Sequence, residues 1–301
     1  MTPADPDPEA GADAAFASAR PRLIRLAYRM LGSRAEAEDV VQDAWLRWHG
    51  AAQAGIRDPA AFLHRTVARL CLDHLKSARH RREVYPGPWL PEPVLHPDVT
   101  AADDITLHLM VALERLSPLE RAAFLLHDVF ETPFEEVARV IGRDPAACRQ
   151  LASRARSHVR AARPRFPVAE ATARTVAAAF HAATRTGDTE ALRSVLAADV
   201  VVYTDGGGQR PAARNPIVGE DRVVRFFAGL ARKSAGRPVR LLHEGWIDGL
   251  PGFVTVDRNG VLQTTAVAIE GGRVIAVYIV RNPDKLRHLG HLAAVEAPLG
   301  G

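Results

Sequence analysis

The chain has 301 residues, 47% of them hydrophobic and 25% charged, which excludes wholesale disorder and collagen-like repeats. No run approaches the roughly 18 apolar residues of a spanning helix, and the N-terminal segment with Asp5, Asp7, Glu9 and Asp13 lacks the basic start of a signal peptide, so a cytoplasmic protein with no membrane association is expected. Cys71 and Cys148 stand far apart without metal-ligand spacing, so neither a disulfide scaffold nor a zinc module is expected; no cofactor and no metal are expected either. The net charge of +4 is diffuse: residues 1–165 carry 23 Lys and Arg against 22 Asp and Glu, and residues 166–301 carry 16 against 13. A nucleic-acid site must therefore come from local clustering.

Prolines divide the chain. Pro86, Pro88, Pro91, Pro93 and Pro97 crowd one short stretch, and Pro164 and Pro167 make a second break. The expected organisation is a helical block over 15–84, a Pro-rich extended linker over 85–99, a second helical block over 100–165, and a third block over 168–295. In the first block, Ala37, Val40, Val41, Ala44, Trp45 and Trp48 recur on one face of a helix. Leu63, Val67, Leu70, Cys71, His74, Leu75 and Ala78 do the same on a longer helix, opened by the cap pair Asp58-Pro59.

Residues 116–160 carry the most information. Ser117-Pro118-Leu119-Glu120 reads as a capping box, Thr132-Pro133-Phe134-Glu135 as a second, and Asp144-Pro145 as a capped helix start. Gly142 in the short turn before Asp144 completes the pattern of a helix-turn-helix. On the last helix, Cys148, Leu151, Ala152, Ala155 and Val159 form a buried stripe, in which Cys148 is a small core residue. Between 143 and 165 there are seven Arg and one acid. Arg and Gln read base edges and Arg and Ser hold phosphates, so Arg149, Gln150, Ser153 and Arg154 are expected nearest the bases and Arg143, Arg156 and Arg160 nearer phosphate. The first block has a complementary polarity. Glu36, Asp39 and Asp43 oppose the tryptophan stripe on helix 34–49, while Arg65, Arg69, Lys76 and Arg79 oppose the apolar stripe on helix 59–80. Surface charge alone explains either helix; the pair, linked to a helix-turn-helix, suggests one face for a protein and one for nucleic acid.

The third block changes character. Helices over 168–186 and 188–198 precede a short strand at 200–204. A helix over 219–233 follows, then strand-like runs near 238–247, 252–257, 261–269 and 273–280. Asp248-Gly249, Asn259-Gly260 and Gly271-Gly272 separate those runs as hairpin turns. This is an α+β pattern.

Residues 38–48 and 61–76, followed by Leu116-Ser-Pro-Leu-Glu-Arg-Ala-Ala-Phe-Leu-Leu126 and its recognition helix, resemble regions 2 and 4 of extracytoplasmic-function (ECF) sigma factors of the sigma-70 family. Trp89-Leu-Pro-Glu-Pro93, Asp205-Gly-Gly-Gly208 and Asn282-Pro-Asp-Lys-Leu286 are similar to three signatures of the SigJ-like subgroup, in which a SnoaL-like domain follows region 4. One departure is Gln209, where a basic residue would follow the three glycines. The implied fold is multidomain: two all-α sigma domains and an α+β, cone-shaped SnoaL-like domain. The implied function is that of a sigma factor, a DNA-binding subunit and not an enzyme, that directs RNA polymerase core to promoters. Asp39, Gln42, Asp43 and Trp45 would dock on the β′ clamp. Lys76 and Arg79 would act at the −10 element. The helix-turn-helix would read the −35 element and meet the β flap. Trp89, Pro91, Pro93, Asp205, Gly206, Gly207, Gly208, Asn282, Pro283, Asp284 and Lys285 would be regulatory, lying close together and setting the separation of the two sigma domains.

The alternative is a one-component helix-turn-helix regulator whose SnoaL-like pocket senses an unknown small ligand, but it leaves the acidic Trp helix unused. A cyclase or isomerase would need an acid–base pair in the third block. Its candidates, Asp205, His243, Asp248 and Asp257, show no such spacing, and turn roles suit Asp248 and Asp257 better. His181 reads as a core or rim residue.

Overall fold

A computed structural model describes residues 8–51, 56, 58–83, 85–96, 106–162, 168–234, 239–257 and 259–294. The chain forms two compact units: residues 1–83 with 112–161, and residues 84–111 with 162–301.

The first unit is helical. Helices α1 (Pro8–Leu31), α2 (Arg34–His49) and α3 (Pro59–Glu83) pack around Leu23, Leu26, Met30, Val40, Val41, Trp48, Leu63, Val67 and Cys71. Local chemistry sets the helix starts. Ser33 Oγ accepts the Glu36 N–H at 3.2 Å, and Asp58 Oδ1 accepts the Ala61 N–H at 2.9 Å. Helix α4 (Leu107–Leu113) begins in the second unit and ends in the first. Then follow α5 (Pro118–Phe124), a π turn over Leu125–Val129, α6 (Phe134–Ile141) and α7 (Pro145–Ala162). The Ser117/Glu120 capping box is complete. The box expected at Thr132 is absent: Pro133 is the N-cap of α6, with no side-chain bond. Thr132 is buried instead. Its N–H returns to the Leu126 carbonyl at 2.9 Å, and its own carbonyl accepts His127 Nδ1 at 3.0 Å, so the π turn has already claimed the residue.

Buried Arg121 holds this unit together. Its guanidinium donates to the carbonyls of Leu113 (2.7 and 3.0 Å) and Met30 (2.8 Å) and pairs with Glu114 at 2.6 Å. Arg22 donates to the Phe130 carbonyl at 3.1 Å. Helix α3 meets α6 through Arg65 and Glu136 (3.4 Å) and through Arg69 and the Arg139 carbonyl (2.8 Å).

The second unit is α+β. After β1 (Leu95–His96) and the start of α4 come α8 (Glu170–Thr186), α9 (Thr189–Val195), β2 (Leu196–Asp205), β3 (Ile217–Val218) and α10 (Glu220–Ser234). Strands β4 (Arg240–Ile247), β5 (Leu250–Val256), β6 (Leu262–Glu270) and β7 (Arg273–Val280) follow, then α11 (Pro283–Leu286), a 3-10 turn over Arg287–Leu289, and α12 (Gly290–Ala294). The sheet order is β1-β4-β5-β6-β7-β2-β3, antiparallel except where β2 runs parallel to β7. Along β7, Val277 and Ile279 join one core while Tyr278 and Val280 join the other, the period-two alternation of a strand buried on both faces. One core holds Phe180, Phe227, Trp246 and Phe253 against helices α8 and α10. The other holds Leu90, Leu107, Leu286 and Leu289. The Pro-rich segment is thus part of this unit: β1 adds antiparallel to β4, with Leu95 opposite Ile247.

Candidate functional site

Gly142 ends α6 with φ +72, and Asp144 starts α7 by accepting the Ala147 N–H at 2.8 Å. These two devices turn α7 so that Cys148, Leu151, Ala152, Ala155 and Val159 are buried, while Arg143, Arg149, Gln150, Ser153, Arg154 and Arg160 are exposed. Arg156 is half-buried, its Nε 2.6 Å from Asp128. Arg149 lies over the Phe134 ring at 5.5 Å and 3.6 Å from Glu135. Arg154 Nε is 3.1 Å from Glu120 Oε1. Burial alone would raise the Glu120 pKa, but the two Ser117 hydrogen bonds and the charges of Arg154 and His158 outweigh it and hold the carboxyl below its ordinary value.

On α2, Asp39, Gln42 and Asp43 are exposed and Trp45 is half-buried beside His49, with ring centroids 4.5 Å apart. Leu46 is 55% exposed and extends the Asp39, Gln42, Asp43 face at i+7. Its spacing from Asp39 was the available signal, hidden because an apolar residue reads first as core. On α3, Lys76 is exposed and pairs with Asp73 at 3.1 Å. The side chain of Arg79 lies outside the described residues.

The second unit gathers its motifs around one carboxylate. Asp205, at the end of β2, has no side-chain exposure. Its Oδ1 accepts the Tyr85 hydroxyl at 2.6 Å and the Gly207 N–H at 3.0 Å; its Oδ2 accepts the Leu90 N–H at 3.0 Å and Lys285 Nζ at 2.7 Å. The Asp205 carbonyl accepts the N–H groups of Arg281 and Asn282. Lys285 also donates to the Leu90 carbonyl at 2.5 Å and sits 3.9 Å from the Trp89 ring centre. Asn282 donates to Tyr85 Oη at 2.9 Å and caps α11, where Pro283 is the first residue and the Asp284 N–H is received at 3.0 Å. Burial first, then the Asp205 carboxylate, pushes the Tyr85 pKa up.

The glycines are required by close approach. A Cβ on Gly206 would stand 2.1 Å from the Arg210 carbonyl oxygen. A Cβ on Gly207, at φ +62, would run into the Asn282 amide, and one on Gly208 into the Pro86 ring. Gln209, where the resemblance implies a basic residue, donates to Asp284 at 2.7 Å. Pro91, Glu92 and Pro93 are buried; His288 donates to the Pro93 carbonyl at 2.8 Å and lies 3.3 Å from Glu92.

Asp248 is a turn residue at φ +46 that anchors chain on both sides of residues 97–105. It accepts the Val94 N–H through its carboxylate (3.1 Å) and the Leu107 N–H through its carbonyl (2.8 Å). Asp257 accepts the turn N–H groups of Asn259 and Val261 and pairs with Arg281. His181 lies against Phe253, ring centres 4.2 Å apart, and burial, then Arg185, lowers its pKa. Sequence reasoning missed Tyr85, whose phenol is a common turn-flanking residue with no spacing signal, and the linking role of Arg121. Among the described residues there is no group of three or more metal-ligating side chains, and no helix is long and apolar enough to cross a membrane.

The models of Sigma-70 region 2 and Sigma-70, region 4 match residues 15–81 and 107–159. Over 288 residues the chain is 42% identical to the ECF RNA polymerase sigma factor SigJ of Mycobacterium tuberculosis, covering 90% of this chain and 91% of that one. It superposes on the SigJ crystal structure with a TM-score of 0.75 at 38% identity, over 91% of this chain and 98% of that one. It is also 34% identical to SigI of that species, named a probable ECF RNA polymerase sigma factor, over 96% of this chain and 97% of that one. The chain belongs to the ECF sigma factors. Such factors regulate transcription rather than catalyse a reaction, and their regions 2 and 4 bind core RNA polymerase and promoter DNA.

Proposed function

We propose that this sigma factor meets the β′ clamp of core polymerase through Asp39, Gln42, Asp43 and Trp45 on α2, joined by Leu46. Lys76 and Arg79 on α3 act at the −10 element, where positive charge tracks the separated strand. Helix α7 enters the major groove at the −35 element, with Arg149, Gln150, Ser153 and Arg154 at base edges and Arg143, Arg156 and Arg160 at phosphates, while region 4 also meets the β flap. The C-terminal unit regulates this activity by holding the segment that joins regions 2 and 4.

One observation carries the regulatory part: the buried Asp205 carboxylate binds Tyr85 and Leu90 of that segment and Lys285 of α11 at once. A connector fixed at both ends limits the separations its two modules can adopt. Run-off transcription with purified core polymerase tests the reading, comparing the full chain, Asp205→Asn, and a chain ending after Arg165. Promoter-specific transcripts that change in yield with either alteration are expected. Equal yield from all three would refute the regulatory role, and no specific start from any would refute the promoter assignment. In a separate binding titration with purified core polymerase, Asp43→Arg with Leu46→Ala should weaken core binding; unchanged binding would remove α2 from that interface.

A further inference from the structure

Carboxylates stand on the Nε side of two arginines of the recognition helix. Asp128 accepts a hydrogen bond from Arg156 Nε at 2.6 Å, and Glu120 Oε1 forms an ion pair with Arg154, 3.1 Å from its Nε. A carboxylate on the Nε side leaves the two terminal nitrogens as a fork, the edge that fits the O6/N7 acceptor pair of guanine or two phosphate oxygens. The two pairs differ. Arg156 is half-buried, which suits a fixed phosphate contact. Arg154 is well exposed, on the face carrying Gln150 and Ser153, and its partner is a carboxylate with both oxygens committed.

Glu120 Oε2 accepts the Ser117 N–H at 3.1 Å and the Ser117 hydroxyl at 2.7 Å, and Oε1 faces Arg154. The capping box of α5 therefore fixes the carboxylate that faces Arg154. An exposed arginine ordinarily loses considerable rotamer freedom when it docks on a base edge. Here part of that ordering is already present before DNA arrives.

We infer that Glu120 is a specificity-determining positioning residue: it presents the terminal fork of Arg154 to a guanine in the −35 element. This rests on the assignment of α7 as the −35 reader. Glu120 touches no base; it acts through Arg154, so substitution changes preference at the base pair that Arg154 meets and leaves preference elsewhere unchanged.

The test is Glu120→Gln, because Gln at the third helical position still completes a capping box while the charge on Arg154 is lost. Holoenzyme reconstituted from core polymerase and full-length chain is titrated against promoter duplexes carrying each single substitution across the −35 element. Arg154→Ala locates its base pair, with discrimination there falling about 5- to 100-fold, the range of one bidentate contact. Glu120→Gln should lower discrimination at that same pair by about two- to fivefold, the range of an exposed ion pair. In the Arg154→Ala background it should do nothing further, and thermal stability should match the parent. Glu120→Asp, which keeps the charge, should recover part of the preference. Equal profiles for the parent and Glu120→Gln, an effect persisting without Arg154, or a loss spread over every position would each overturn the inference. If the parent holoenzyme shows no −35 preference at all, the assignment of α7 fails first and the inference with it.

Discussion

Replacing Asp205 by Asn keeps the shape of the side chain, removes its charge and turns one of its two accepting oxygens into a donor. The Lys285 ammonium, 11% exposed, then stands without its counter-charge, and breaking a buried pair from one side costs about 3–5 kcal/mol. Two contacts survive and offset part of this. Lys285 keeps the Leu90 carbonyl and the face of Trp89, the latter worth about 1–2 kcal/mol when partly desolvated. A net loss of about 1–4 kcal/mol remains. For a unit of this size each kcal/mol lowers the melting temperature by about 2–4 °C, so a drop of about 2–16 °C is expected. Scanning calorimetry of the full chain measures it, and limited proteolysis across residues 85–96 follows release of the segment. The paired variant Asp205→Asn with Lys285→Met, which leaves no charge uncompensated, should regain at least half of the loss. A single variant melting within about 1 °C of the parent, or a double variant no better than the single, would refute the electrostatic account of the cluster.

Arg121→Met removes the donor shared by the Leu113 and Met30 carbonyls and takes the guanidinium away from Glu114; urea unfolding of the helical unit should show a loss of about 3–5 kcal/mol, and a loss below about 1 kcal/mol would show that Arg121 does not link α5 to α1. His64, in that same unit, has its pKa lowered by burial and then by Arg22, against the opposing charge of Glu136. The folded state therefore prefers the neutral ring. Stability is full above the ordinary value of about 6.5 and falls as the pH drops through the lowered one. His64→Gln should flatten the pH dependence of the urea midpoint between about pH 5 and 7, and an unchanged slope would assign it to other groups.

Much of the fold could be read from periodicity and turn chemistry. The helix starts at Asp58, Ser117 and Asp144 and the turns at Asp248-Gly249 and Gly271-Gly272 are short-range devices, so a window of a few residues contains their whole cause. The π turn was not legible, because what draws Thr132 back to the Leu126 carbonyl lies outside its capping pattern. Nor was β1. Pro-rich sequence signals extended chain, but pairing with β4 depends on a strand some 150 residues away. For the candidate site, the exposed face of α7 follows from helical spacing alone. The Asp205 cluster is different in kind. Three motifs were visible as separate turn-like segments, whereas the carboxylate–ammonium pair and the Tyr85 phenol that join them are products of tertiary packing.

The segment carrying Tyr85 and Leu90 leaves the ribosome long before the strands that receive it. The helical unit is complete by about residue 161, while β2, β4 and α11 come from residues 196–286. At about 5–20 residues per second, synthesis separates the two events by roughly 6–25 s. Each newborn molecule thus passes through an interval in which the helical unit can be folded while the 85–96 segment still lacks the strands and helix that receive it.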